Sequence, residues 1–249
     1  LCLAGLADAA FGDDPIGAVT DDPGSEDRLA EPVGYANGMA VLAAMGTLLA
    51  IGLALVTRRP ALRAASLLLL PLFIATLYLT YSRGAWLALA IGLLALFATR
   101  IASLDRRIVV AACAVLLVAV TAAGVAFARS FAAPTATPAG AERLRTLSGS
   151  SRADYWRVAL RAVEDEPLLG SGSGSYRRLW YRNRSEPQPA RDAHSLYLET
   201  LAELGPIGLV LLLAALGLPV AVAVGARADP LTAAALGPYV AFLAHTAQD

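Results

Sequence analysis

Three side chains in this sequence have the type and setting to act on an anionic substrate. Arg83 is the only charged residue between Ala64 and Thr99. At ~1.5 Å per residue one helix over that run would be ~54 Å long, against a hydrocarbon core of ~30 Å, so the chain must reverse within it. The reversal falls at Tyr81-Ser82-Arg83-Gly84. The guanidinium then sits in a turn at a membrane surface, either as a snorkelling anchor or as a clamp for a phosphate-bearing lipid. Arg152 stands beside Ser150 and Ser151 where an amphipathic helical pattern begins. Free N–H groups and the helix dipole favour anions there. An arginine opposes that dipole, which calls for a ligand or partner acid; the plain alternative is a solvated side chain. His194 lies in RDAHSLYLETLAELG and is one of two histidines. Histidine is a natural general base near neutral pH and can take a proton from a hydroxyl, although a lone histidine also serves simply as packing. Asp192 is close enough to orient it, but residues i and i+2 do not share a helix face, so the pairing requires a loop or kink.

The elements that carry these residues are membrane spans. The chain is 57% hydrophobic and 16% charged, with a mean hydropathy of +0.59. A soluble domain carries about a quarter charged residues, so this is an integral membrane protein. It begins at Leu1 and stops at Asp249 beyond an apolar segment, and is expected to be a fragment of a larger multi-span protein. Residues 1–34 open with a short apolar stretch and turn acidic, with Asp8, Asp13, Asp14, Asp21, Asp22, Glu26, Asp27 and Glu31 facing Arg28 alone. They read as an extramembrane loop. Apolar segments follow at about 36–57, 64–81, 84–99, 108–128, 205–224 and 231–246, the third short for a span. The short linkers from Arg58 to Arg63, Arg100 to Arg107 and Gly225 to Pro230 carry arginines, which makes them cytoplasmic. Counting spans then puts the acidic loop, the Arg83 turn, the long 129–204 segment and the C-terminal end on the external face. Within that segment 130–141 is linker-like. Ser151 with Asp154 resembles a capping box. Trp156, Ala159, Leu160 and Val163 form a stripe at helical spacing, and Ala193 to Leu204 is a further helical pattern stopped at Gly205-Pro206.

Other features exclude alternatives. All 20 basic residues are arginine and net charge is zero, so no nucleic-acid footprint is present. Cys2 and Cys113 are isolated, and with two histidines neither a disulfide framework nor a metal site is indicated. Gly170, Gly172 and Gly174 lack the Gly-Lys-Ser/Thr signature of a nucleotide loop and read as a flexible hinge. His245 and Asp249, ending the last span, are candidate relay groups or an interfacial polar end.

Taken together these stretches resemble the O-antigen ligase and polymerase family of bacterial membrane glycosyltransferases. The stretches are Gly34-Tyr35-Ala36-Asn37, Thr80-Tyr81-Ser82-Arg83-Gly84-Ala85-Trp86, Ser151-Arg152 with Trp156, and Pro167-Leu168-Leu169-Gly170-Ser171-Gly172. His194-Ser195-Leu196-Tyr197-Leu198 and Glu203-Leu204-Gly205-Pro206-Ile207-Gly208 follow, and then His245 to Asp249. Ser195 departs from the asparagine often found after the family's histidine. The resemblance runs from about Glu31 to the end. It implies an all-α polytopic bundle, about six spans in this chain, with a long, partly helical external loop, similar to other lipid-carrier glycosyltransferases. It implies a metal-independent, cofactor-free transfer of a glycan from a polyprenyl-pyrophosphate carrier to an acceptor glycan hydroxyl, on the external face of the cytoplasmic membrane. Arg83 and Arg152 would hold the pyrophosphate and His194 would be the base, all three lining one cavity. Tyr35, Asn37, Asp192 and Tyr197 would be further substrate-binding positions. The same family contains capsule polymerases and protein O-glycosyltransferases, which differ in acceptor. A lipid-linked glycan transporter would need external arginines but no base, and a scaffold would need neither.

Overall fold

The structure, a computed structural model, describes residues 1–11, 28–98, 152–184, 189–226 and 228–249. Every regular element among them is helical: α1 (Cys2–Phe11), α2 (Ala36–Val56), α3 (Pro60–Leu79), α4 (Arg83–Ala98), α5 (Arg152–Asp165), α6 (Tyr176–Asn183), α7 (Leu196–Gly225) and α8 (Pro230–His245). The expected span at 108–128, Cys113, the 130–141 linker and Ser151 lie outside the described residues. So do most of the acids of the first loop, while its apolar start forms α1. Three helices among the described residues, α2, α3 and α7, are long and apolar enough to cross a membrane, and α4 is a shorter apolar helix. The described part divides into two compact units, one of residues up to 98 with 222–245, the other of 152–221 with 246–249.

The first unit is a bundle built on small side chains. The buried side of α2 reads Ala36, Met39, Ala40, Ala43, Ala44, Thr47 and Leu48, a helical stripe of mostly alanine that lets backbones approach closely. A Cβ placed on Gly52 would lie 2.9 Å from the Ala234 Cβ of α8, and one on Gly92 would lie 2.8 Å from the Gly237 carbonyl oxygen. These contacts, with Leu96 of α4 also against Gly237, run α8 antiparallel to both α2 and α4. The described loop residues 28–35, the α3–α4 turn and His245 therefore share one end of this bundle, and the arginines at 58, 59 and 63 mark the other. On the outside, α3 leaves Leu67, Leu68 and Leu69 exposed, as expected of a lipid-facing surface.

The second unit has a different core. Ala153, Tyr155, Trp156, Ala159 and Ala162 of α5 are buried with Tyr176 and Trp180 of α6, Ala190, Ala193, and Leu198 and Ala202 of α7, while Leu160 and Val163 pack partly against them. This confirms the α5 stripe. The sequence reading had no helix at α6. The glycine-rich stretch is no hinge either: it is a strap bound to α7. Ser171 N–H donates to the Ala202 carbonyl at 2.9 Å and Gly172 N–H to the Glu203 carbonyl at 2.8 Å. The Glu203 carboxylate accepts from Gly174 N–H and Tyr176 N–H, both at 2.8 Å. The helix expected at Ala193 begins at Leu196 and continues into the apolar span. Its two parts meet at a kink where Gly205 has φ 66° and ψ −171°, outside helical geometry.

Candidate active site

His194 lies in the turn that leads into α7. Its φ of 49° places it in the left-handed region, which costs a non-glycine residue about 1–2 kcal/mol and persists only where surroundings enforce it. The enforcement is visible atom by atom. His194 N–H donates to Asp192 Oδ1 at 3.1 Å, the loop geometry that an i, i+2 pairing demanded. Trp156 Nε1 donates to the His194 carbonyl at 3.3 Å. Ala193 N–H donates to Glu199 Oε2 at 2.8 Å. Leu196 N–H donates to the Thr246 carbonyl at 2.9 Å.

The imidazole is oriented as firmly as the backbone. It stacks on Tyr155 with centroids 5.1 Å apart and planes 30° apart, and Tyr155 meets Trp180 edge-on at 4.7 Å. Nδ1 faces two carboxylates, Asp192 Oδ1 at 3.6 Å and Asp249 Oδ1 at 3.8 Å. Both carboxylates thus lie on the Nδ1 side of the ring. Arg152 opens α5 and places Nη2 2.7 Å from the same Asp249 Oδ1. The partner acid that its position called for is thus Asp249. One carboxylate oxygen, only 6% exposed as part of its side chain, lies within 4 Å of both the cation and the imidazole. Arg152 has five N–H donors in a planar fork and remains 27% exposed, so an anion can still reach it.

Glu199 adds a third carboxylate behind the turn. Burial raises its pKa above the ordinary carboxylate range, the Ala193 N–H opposes this, and the Asp192 and Glu203 charges add to it. Burial likewise pushes the Tyr176 phenol well above its usual range; its hydroxyl donates to the Tyr155 carbonyl at 2.8 Å. Tyr197 is buried, its hydroxyl accepting from Thr246 Oγ1 at 3.4 Å. No group of three or more potential metal ligands gathers among the described residues.

Arg83 belongs to the first unit and Arg152 and His194 to the second. Arg83 is the first residue of α4, as Arg152 is of α5, so both stand at the positive end of a helix dipole. The turn before Arg83 contains Tyr81 at φ 46°. Asn37 and Tyr35 are engaged near this turn: Asn37 Nδ2 donates to the Tyr35 hydroxyl at 3.2 Å, and Asn37 Oδ1 accepts from Arg28. Sequence reasoning passed over Arg28, Tyr155 and Glu199. A basic residue among eight acids, a tyrosine in a core stripe and a glutamate on a helix carry no local signal of what they face.

Helices long and apolar enough to cross a membrane mark an integral membrane protein. The chain matches the O-antigen ligase (Wzy_C) family over residues 64–213, more than half its length, and it belongs to that family. No curated protein matches it. The matched stretch includes Arg83, Arg152 and His194.

Proposed function

We propose that this protein transfers a glycan from a polyprenyl-pyrophosphate carrier to an acceptor glycan hydroxyl, with His194 as general base. The observation that supports the proposal is the Asp249 Oδ1, which lies 2.7 Å from the Arg152 guanidinium and 3.8 Å from the His194 ring. His194 Nε2 takes the proton as the acceptor oxygen attacks the anomeric carbon. The bond from that carbon to the pyrophosphate oxygen breaks, its electron pair leaves with the carrier, and configuration inverts. Arg152 stabilises charge developing on the leaving group, and Arg83 contributes a further donor-binding guanidinium. Asp192 serves as a holder of the base. Tyr35, Asn37 and Tyr197 support the binding elements through the bonds described above. The active face is the external one, and whether the acceptor is a lipid-linked core, a growing polymer or a protein is set by residues around the acceptor.

The test is transfer of labelled glycan from the polyprenyl-pyrophosphate donor by the full-length protein in membrane vesicles. His194→Ala is expected to lower kcat by about 10²–10⁴-fold at unchanged protein level. Arg152→Ala and Arg83→Ala are expected to impair use of the donor. Full transfer by His194→Ala would overturn the assignment of the base.

A further inference from the structure

Arg28 is the one described residue of the acidic loop that carries positive charge, and it is 3% exposed. A buried guanidinium is costly unless its donors are met. Its Nε donates to the Thr80 carbonyl at 2.7 Å and its Nη2 to Asn37 Oδ1 at 2.5 Å. The target is the C-terminus of α3, where four carbonyls have no partner within the helix. Each finds one nearby. Leu77 O accepts from Thr80 Oγ1 at 2.6 Å. Tyr78 O accepts from Tyr81 N–H at 3.0 Å and Leu79 O from Leu29 N–H at 3.0 Å. Thr80 O takes the guanidinium. A cation at this end also complements the helix dipole. Leu29 and Ala30 are buried beside it, so residues 28–30 form a strap lying across the end of α3.

We infer that Arg28 is a positioning residue that caps α3 and thereby fixes the turn presenting Arg83, a role that rests on the donor-binding part assigned to Arg83 above. Only two residues, Tyr81 and Ser82, separate Thr80 from Arg83, and Tyr81 holds a left-handed φ of 46°. Ser82 is buried, and its carbonyl accepts from Trp86 N–H at 3.3 Å as α4 begins. A strained turn between two helix ends keeps one geometry only when an outside group holds it. Arg28 holds it from one side and is itself aimed by Asn37, whose amide bonds the Tyr35 hydroxyl at 3.2 Å. Asn37 and Tyr35 therefore act at one remove from the substrate. Lysine cannot replace this residue, because a point ammonium does not reproduce a fork spanning a carbonyl and an amide oxygen.

Two readouts on the full-length protein test this. A nitroxide on Arg83→Cys in proteoliposomes should be immobile with Arg28 present and mobile in Arg28→Met; equal mobility would overturn the proposal. In the transfer assay, Arg28→Lys should raise the donor KM about tenfold, the size of a lost charge-assisted bond, with kcat little changed. The same substitution should add nothing to Arg83→Ala, whereas additive effects would overturn a role exercised through Arg83. Asn37→Leu, which keeps Arg28 but removes its second anchor, should raise KM in the same direction and guards against poor folding of the Arg28 variants. If the label becomes mobile while Arg83→Ala keeps a normal KM, the positioning of the turn stands and the donor-binding role of Arg83 falls.

Discussion

A histidine in left-handed backbone geometry pays for its place with strain, and His194 is held there by one group from its own turn and two from α5. Asp192 takes its N–H, Trp156 its carbonyl and Tyr155 its ring face. The two carboxylates near Nδ1 are unequal. Asp192 is 54% exposed, so water screens it, while Asp249 is 6% exposed and bound to Arg152. Asp249→Asn should therefore lower kcat by about 10–100-fold, the loss of a charge-assisted interaction, while Asp192→Asn should lower it less than tenfold. Transfer rates at equal protein level check the ranking, and a larger effect at Asp192 would reverse the roles of the two acids. The need for a loop at His194 was legible in the sequence, because Asp192 and His194 cannot meet on a helix. The Tyr155 stack was not, since periodicity marks a buried tyrosine but not its neighbour.

In the second unit α5 and α6 are short, and the strap between them is hydrogen-bonded to α7. Gly170 has φ 68°, and a Cβ there would lie 2.5 Å from the Glu203 carbonyl carbon and oxygen. Gly172 has φ 97° but open space around its Cβ position. Gly170→Ala should thus combine backbone strain with a collision against immovable backbone and cost about 3 kcal/mol or more, while Gly172→Ala should cost about 1–2 kcal/mol from strain alone. Thermal unfolding of the purified variants measures the difference, and equal losses would mean that the strap is not pressed against α7. These glycines resembled a hinge because glycine looks the same in sequence whether it frees the backbone or permits a tight approach. Glu203, whose carboxylate settles the matter, is remote in sequence. Helix α6 escaped notice for a related reason. Tyr176, Leu179 and Trp180 supply its inner face over eight residues, too few for a period to be read.

The first unit sorts its charges by end. Arg28 and Arg83 lie with the α3–α4 turn, and Arg58, Arg59 and Arg63 lie beyond the opposite ends of α2 and α3. Positive-inside reasoning puts the short arginine-bearing linker in the cytoplasm, and on that expectation Val33→Cys, exposed near the first group, should be labelled by a membrane-impermeant maleimide in intact cells. Ala61→Cys, exposed near the second, should require permeabilisation. Labelling of both from one side would undo the topology. The apolar runs marked α2, α3 and α4 to within a few residues, because burial in lipid demands uninterrupted hydrophobicity. The partners of the polar residues at the ends were beyond reach, since Arg28 meets Thr80 across 52 positions. The pair between Arg152 and Asp249 spans 97. That separation bears on how the protein is made. The ribosome releases His194 well before Thr246 and Asp249, so a nascent chain carries an imidazole with neither its buried carboxylate nor the Thr246 carbonyl that steadies the entry to α7. Under the proposed mechanism the His194 site is then completed late, after α8 has been synthesised, and chains interrupted earlier lack its contacts to Asp249 and Thr246.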